Sequence, residues 1–142
     1  MNAMATLERS VRPPAYSKDT IIHFDEGLIG FSECKDFQLM ESESIAPLRL
    51  LQSPEVKEVG FLVIEPSAVM KDYYAHIPDR EWESIGISAG ESRLAFIICV
   101  IGATPKESTG NFQAPLIVNY NKMVGRQLIL TDSALSVRQP LA

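Results

Sequence analysis

From Thr20 onward the apolar residues come in short blocks broken by turn-forming residues, not in a helical period. Residues 20–24 join β-branched side chains to a terminal aromatic, which predicts a strand. Gly27-Leu28-Ile29-Gly30-Phe31 follows as a turn in which two glycines bracket two apolar residues. Glycine at such places permits positive φ or close backbone approach. Residues 36–41 alternate polar and apolar, as a half-buried strand does. Further strands are predicted over 47–52, closed by Ser53-Pro54, and over 59–64, stopped by Glu65-Pro66. Residues 72–77 read as an edge strand ending at Pro78, and 79–85 as a helix with Asp79 placed to cap it. The unbroken apolar block 94–101 makes 93–101 the central strand. Three more strands are expected over 110–114, 115–120 and 126–131. Pro115 should start a strand or sit at a bulge, since it cannot donate to a ladder. Gly125 should close the turn 121–125 in a left-handed or bulge position.

Eight or nine strands at this spacing with one clear helix predict an all-β fold. The expected form is a small antiparallel β-barrel-like domain with one or two short helices, closed because closure hides strand edges. At 142 residues there is room for one domain, expected over 20–142. Residues 1–19 read as a flexible leader, because Arg12-Pro13-Pro14 cannot continue a helix.

An apolar fraction of 46% and a charged fraction of 22% are ordinary for a soluble domain. No apolar block approaches the ~20 residues of a membrane helix. The first residues do not read as a secretory signal. These features imply a cytoplasmic protein with Cys34 and Cys99 as free thiols. Charge is uneven along the chain. Residues 21–83 carry thirteen acids and five bases, whereas the whole chain has a net charge of −5. Such a surface repels phosphate backbones and argues against nucleic acid as a direct partner. It suits a basic protein, although solubility alone also explains acidity of this size.

Residue types that carry chemistry are sparse. His23 and His76 are the two histidines, and neither lies in a ligand motif, so no metal site is expected. Cys34 lacks a setting that would activate a thiol. Ser84, Ser88 and Ser92 lack a nucleophile elbow. Gly27 and Gly30 are not part of a phosphate loop, which ends in Gly-Lys-Ser/Thr before a helix. Asp25-Glu26, Glu41 with Glu43, and Glu81 with Glu83 are explained by a solvated face. Tyr73-Tyr74 and Trp82 read as core or as a protein-contact surface. The chain therefore reads as a binding protein without catalytic, cofactor or metal residues.

Several pieces, in order, resemble the flagellar assembly factor FliW family over about 20–141. They are Ile22-x-Phe24-x-x-Gly27-Leu28-Ile29-Gly30-Phe31, Leu51-Gln52-Ser53, Gly60-Phe61-x-Val63-x-x-Pro66, Asn111-x-Gln113-Ala114-Pro115-x-x-x-Asn119, Gly125-x-Gln127-x-Ile129-Leu130 and Arg138-x-x-Leu141. Ile29 stands where the family often has proline. The resemblance implies a small cytoplasmic β-barrel-like factor without enzymatic activity, which binds flagellin and also the translational regulator CsrA. Binding CsrA would relieve repression of flagellin mRNA, and accumulating flagellin would capture the factor and release CsrA. It further implies that CsrA is contacted at a separate, allosteric surface. Set beside the acidic charge, it points to Glu65, Asp72, Asp79, Glu81 and Glu83 for the CsrA contact, with Tyr73 and Tyr74 as anchors. For flagellin it points to the glycine turn, Leu28 to Phe31, with Leu28, Gly30 and Phe31 foremost, and to the amides of Asn111 and Gln113. These residues serve equally well as barrel scaffold. A monomer suffices for this role. The alternative, a small β-barrel flavin-binding oxidoreductase, needs a phosphate-holding cluster of Arg, Lys, Ser and Thr, which the sequence does not display.

Overall fold

The structure, a computed structural model, describes residues 20–142. The expected leader, 1–19, lies outside the described residues. Nine strands form one sheet: β1 (Ile21–Phe24), β2 (Asp36–Met40), β3 (Arg49–Gln52), β4 (Gly60–Ile64), β5 (Leu94–Val100), β6 (Thr109–Gly110), β7 (Leu116–Asn119), β8 (Val124–Gln127) and β9 (Gln139–Pro140). In the order β4-β3-β2-β1-β8-β7-β5, the sheet closes on itself through a β4–β5 pairing. The short β6 and β9 extend from the far end of β5. One α-helix, α1 (Asp79–Glu83), is described, with 3-10 turns at Pro66–Ala68, Tyr73–His76 and Pro105–Glu107.

The barrel is all-β as expected, but its ladder is mixed. A ring of alternating strands needs an even number of direction reversals, so a ring of seven keeps one parallel seam. That seam is β1–β8, and it is short: His23 pairs with Val124 and Phe24 with Gly125. Every other neighbouring pair in the ring is antiparallel.

The apolar block 94–101 is explained by burial on both faces of β5. Phe96 points into the barrel with Ile22, Phe24, Phe37, Leu51, Val63, Leu116 and Val118. Ala95, Ile97 and Cys99 point outward and are covered by Tyr73, Ile77, Trp82 and Phe112. Burial pushes the Cys99 thiol up to about 12, which leaves it protonated and inert. Cys34 and Cys99 are both buried and free.

Local expectations differ from the structure at five places. Residues 72–77 are not an edge strand: Asp72 turns the chain at φ 60 into the 3-10 turn Tyr73–His76, which caps the outer core instead of pairing. Asp79 does not cap its helix; Pro78 occupies the cap position and the helix stops at Glu83. Residues 112–114 leave the ladder after Asn111, whose N–H still reaches the Ile98 carbonyl at 3.1 Å, because the Asn111 side chain accepts the Gln113 N–H and bends the chain. The last long strand is shifted earlier, to Val124–Gln127, and Leu128 and Leu130 keep only single backbone bonds to Pro115 and Gln113. Met123, not Gly125, takes the left-handed position at φ 54. Pro115 does directly precede β7.

Candidate functional site

The parallel seam ends at Phe24 because Asp25 and Glu26 turn away, with the Gly27 N–H bonded back to the Phe24 carbonyl at 2.8 Å. Beside β8 the space that β1 vacates becomes a cleft of about 630 Å³. One wall is the turn after β1, from Asp25 to Gly30. The other is the chain after α1, Ser84 to Gly86, together with Lys122 and the β8 residues to Gln127. Buried Asn119 holds this second wall: its amide donates to the Ile85 carbonyl at 2.8 Å and its oxygen accepts the Asn121 and Lys122 N–H groups. Gln127 ties the walls together, accepting the Ile29 N–H at 2.8 Å.

Charge in the cleft is polarised. Arg126 Nη1 lies 3.4 Å from Glu81 Oε1 and 3.1 Å from Ser84 Oγ, which links the cleft to α1. Lys122 has no ion pair among the described residues, and its ammonium passes Gly86 so closely that a Cβ there would stand 2.8 Å from Nζ. On the other wall His23 is bracketed, with Nδ1 2.7 Å from Asp36 Oδ1 and Nε2 3.0 Å from Asp25 Oδ1. Both nitrogens face carboxylates, so the doubly protonated ring is favoured. The Asp36 hydrogen bond is the main cause that raises the His23 pKa above 6.5; partial burial opposes it and Asp25 adds to it. The bracket therefore contributes fully below pH 6.5 and is lost as pH rises through the raised value. Wild type should lose stability relative to His23→Gln across that window, measured by urea unfolding at stepped pH. Parallel profiles for the two proteins would show that the bracket contributes nothing.

The residues singled out in the sequence are not all at one site. Tyr73 is 2% exposed and its hydroxyl donates to the Phe112 carbonyl at 2.5 Å, so its ring offers no surface to a partner. The Tyr74 ring packs on Trp82 with centroids 5.6 Å apart, and its hydroxyl accepts the Ala95 N–H. Glu65 pairs with Arg49, Asp79 with Arg93 and Glu81 with Arg126. Asp72 and Glu83 are exposed and have no ion pair among the described residues. Leu28 is buried, whereas Gly30 and Phe31 are exposed, with Phe31 edge-on to Phe61 at 5.2 Å. Asn111 braces its own turn, and the Gln113 amide donates to the Leu135 carbonyl at 2.7 Å. Both amides are thus spent on the scaffold.

Sequence reasoning missed the cleft and the exposed Ile129, whereas exposed Ile29 lies inside the glycine turn it singled out. Ile29 and Ile129 are 60% and 71% exposed. Both stand beside Gln127, the first through its hydrogen bond and the second two positions along the same extended chain. No signal marked Ile129, because Leu128-Ile129-Leu130 is an unbroken apolar run and only the fold separates exposed Ile129 from buried Leu128 and Leu130. No signal linked Lys122 and Arg126 to Ser84, because only the fold brings 84–86 against the β7–β8 hairpin. Among the described residues there is no group of three or more His, Cys, Asp or Glu placed to hold a metal. None of their helices is long and apolar enough to cross a membrane.

Comparison with known proteins places the chain among flagellar factors. The family described as FliW protein matches residues 8–141. A flagellar assembly factor FliW of Leptospira interrogans serovar copenhageni is 36% identical over 126 residues, covering 88% of this chain and 84% of the relative. Another, from Clostridium beijerinckii, is 32% identical over 126 residues and covers 89% of each. A crystal structure of the flagellar assembly factor FliW superposes with a TM-score of 0.78 at 30% identity, over 88% of this chain and 87% of that one.

Proposed function

Because this chain belongs to the flagellar assembly factor FliW family, we propose that it acts in the cytoplasm by binding rather than catalysis, taking flagellin and the translational regulator CsrA in exchange. The family match over nearly the whole chain carries this reading. Its physical content is mass action: one factor distributed between two protein ligands, with occupancy set by their free concentrations. When flagellin is scarce the factor holds CsrA and flagellin mRNA is translated. When flagellin accumulates it captures the factor, and the released CsrA represses.

The acidic balance of 21–83 supports a basic partner such as an RNA-binding regulator. Within the acidic segment, Asp72 and Glu83 are the best candidates for that contact, because arginines already occupy Glu65, Asp79 and Glu81. The exposed part of the glycine turn, Ile29 to Phe31, is the better candidate for flagellin. The family match gives no support to the flavin-binding alternative.

Size exclusion of the purified monomer with its cognate flagellin tests the reading, and a one-to-one complex is expected. If neither flagellin nor CsrA co-elutes at micromolar concentration, the reading fails. Glu83→Lys is expected to slow CsrA association several-fold and to reduce its salt dependence, without changing the unfolding midpoint. Unchanged association kinetics would remove that residue from the contact.

A further inference from the structure

We propose that the seam cleft receives an extended, acidic segment of a partner protein, which lies alongside Arg126 and Gln127 and sets a carboxylate between Arg126 and Lys122. This deepens the role of the glycine turn as a partner surface. It rests on the reading above only for which protein supplies the segment.

Three observations converge on it. First, β8 is paired with β7 through Gln127 but with β1 only through Gly125. Beyond Gly125 no strand lies on that side of β8 among the described residues, where the glycine turn faces it across the cleft and holds it through the Ile29 N–H on the Gln127 side chain. An open edge inside a concavity suits an added strand, and about 630 Å³ is a usual size for a ligand site. Second, the cations on the hairpin wall are available. Lys122 is unpaired among the described residues, and Arg126 is 43% exposed and holds Glu81 only at 3.4 Å. A half-exposed pair of that length is weak, so an entering carboxylate displaces Glu81 with little loss. Asp25 and Glu26 on the facing wall repel acid there, which orients the segment with its carboxylate toward the hairpin. Third, Ile29 and Ile129 flank Gln127 and present apolar surface to side chains that alternate along an extended segment.

Ser84, Lys122 and Arg126 are also residue types that hold a phosphate, but Asp25 and Glu26 line the same cleft and would repel a dianion. Flavin mononucleotide is therefore a control in the test and not the proposed occupant.

The test uses two fluorescein-labelled, C-terminally amidated peptides, Val-Thr-Val-Asp-Val and Val-Thr-Val-Lys-Val, read by anisotropy and by amide shifts in a 15N-labelled protein. The acidic peptide is expected to bind and to shift the amides of Ile29, Arg126 and Gln127. Lys122→Glu and Arg126→Glu should each weaken it at least about tenfold, a difference of about 1.4 kcal/mol. The wild-type shifts decide the question even if a variant folds poorly. Equal binding of the two peptides overturns the proposal, as does silence of those amides up to millimolar peptide. Tighter binding by flavin mononucleotide at the same amides overturns it as well. If flagellin co-elutes while the acidic peptide leaves the cleft silent, the functional reading stands and the cleft assignment falls. If the peptide binds there but flagellin does not co-elute, the cleft stands and the partner is a different protein.

Discussion

Replacing Trp82 with alanine is expected to remove about 3–5 kcal/mol of stability, the cost of emptying a large aromatic site in a packed core. Trp82 is fully buried, and it joins α1 to the outer face of β5. Tyr74 meets its ring edge-on at 5.6 Å, and the Arg93 guanidinium lies 5.5 Å from the ring centroid. Because domains of this size hold about 5–15 kcal/mol in total, the variant should be partly unfolded or close to it. Urea unfolding followed by far-UV circular dichroism measures the loss. The indole N–H has no hydrogen-bond partner among the described residues. Trp82→Phe therefore sacrifices no hydrogen bond and leaves a smaller cavity than alanine, so it should cost about 1–2.5 kcal/mol, clearly less than Trp82→Ala. If Trp82→Phe proves as costly as alanine, the indole nitrogen is bonded after all.

Replacing Gly125 with valine is expected to destabilise the protein by about 1–3 kcal/mol or more, through overpacking at the barrel seam. A Cβ at Gly125 would stand 2.6 Å from the Phe24 ring and 3.0 Å from the Ile117 carbonyl oxygen. Phe24 is 1% exposed and packs edge-on against Phe37 at 5.9 Å, so its ring has little room to retreat. The strain falls on the two-pair parallel ladder, the shortest join in the closed ring. Gly30→Ala isolates the other use of glycine. Space around Gly30 is open, but its φ is +85, so only the backbone conformation resists, at about 1–2 kcal/mol. The two variants should also differ in kind. Gly125→Val should loosen amide protection along β1 and β8, whereas Gly30→Ala should leave protection unchanged away from its own turn. Equal loss of protection in both would show that the seam carries no special strain.

Much of the fold was legible because it follows from local pattern. The doubly buried β5 and the proline ahead of β7 each state their environment in residue order, whereas β2, which alternates like a half-buried strand, is buried on both faces, Gln38 and Met40 included. The failures share one cause, tertiary contacts that override short-range preference. Tyr73-Tyr74 has strand-like residues, yet the outer face of β5 needed covering and the Tyr73 hydroxyl found the Phe112 carbonyl. Gly125 looks like a turn residue, but its missing side chain makes room for Phe24 while Met123 makes the turn. Asn111 and Gln113 look like surface amides and are instead the braces of a loop.

Sequence alone determined the class of the protein: an all-β fold, acidic in its first half, poor in reactive side chains, with ordered motifs of a flagellar assembly factor. The first three reside in composition and in the two-residue period of strands, which are readable one segment at a time, and the family resemblance resides in the order and spacing of its motifs. Only the tertiary structure decided where a partner segment would enter. An odd ring of strands leaves one parallel seam, and that seam runs out where β1 turns at Asp25. Ile29 and Ser84 are far along the chain from each other and from Lys122 and Arg126, and they share a site only because the barrel closes there.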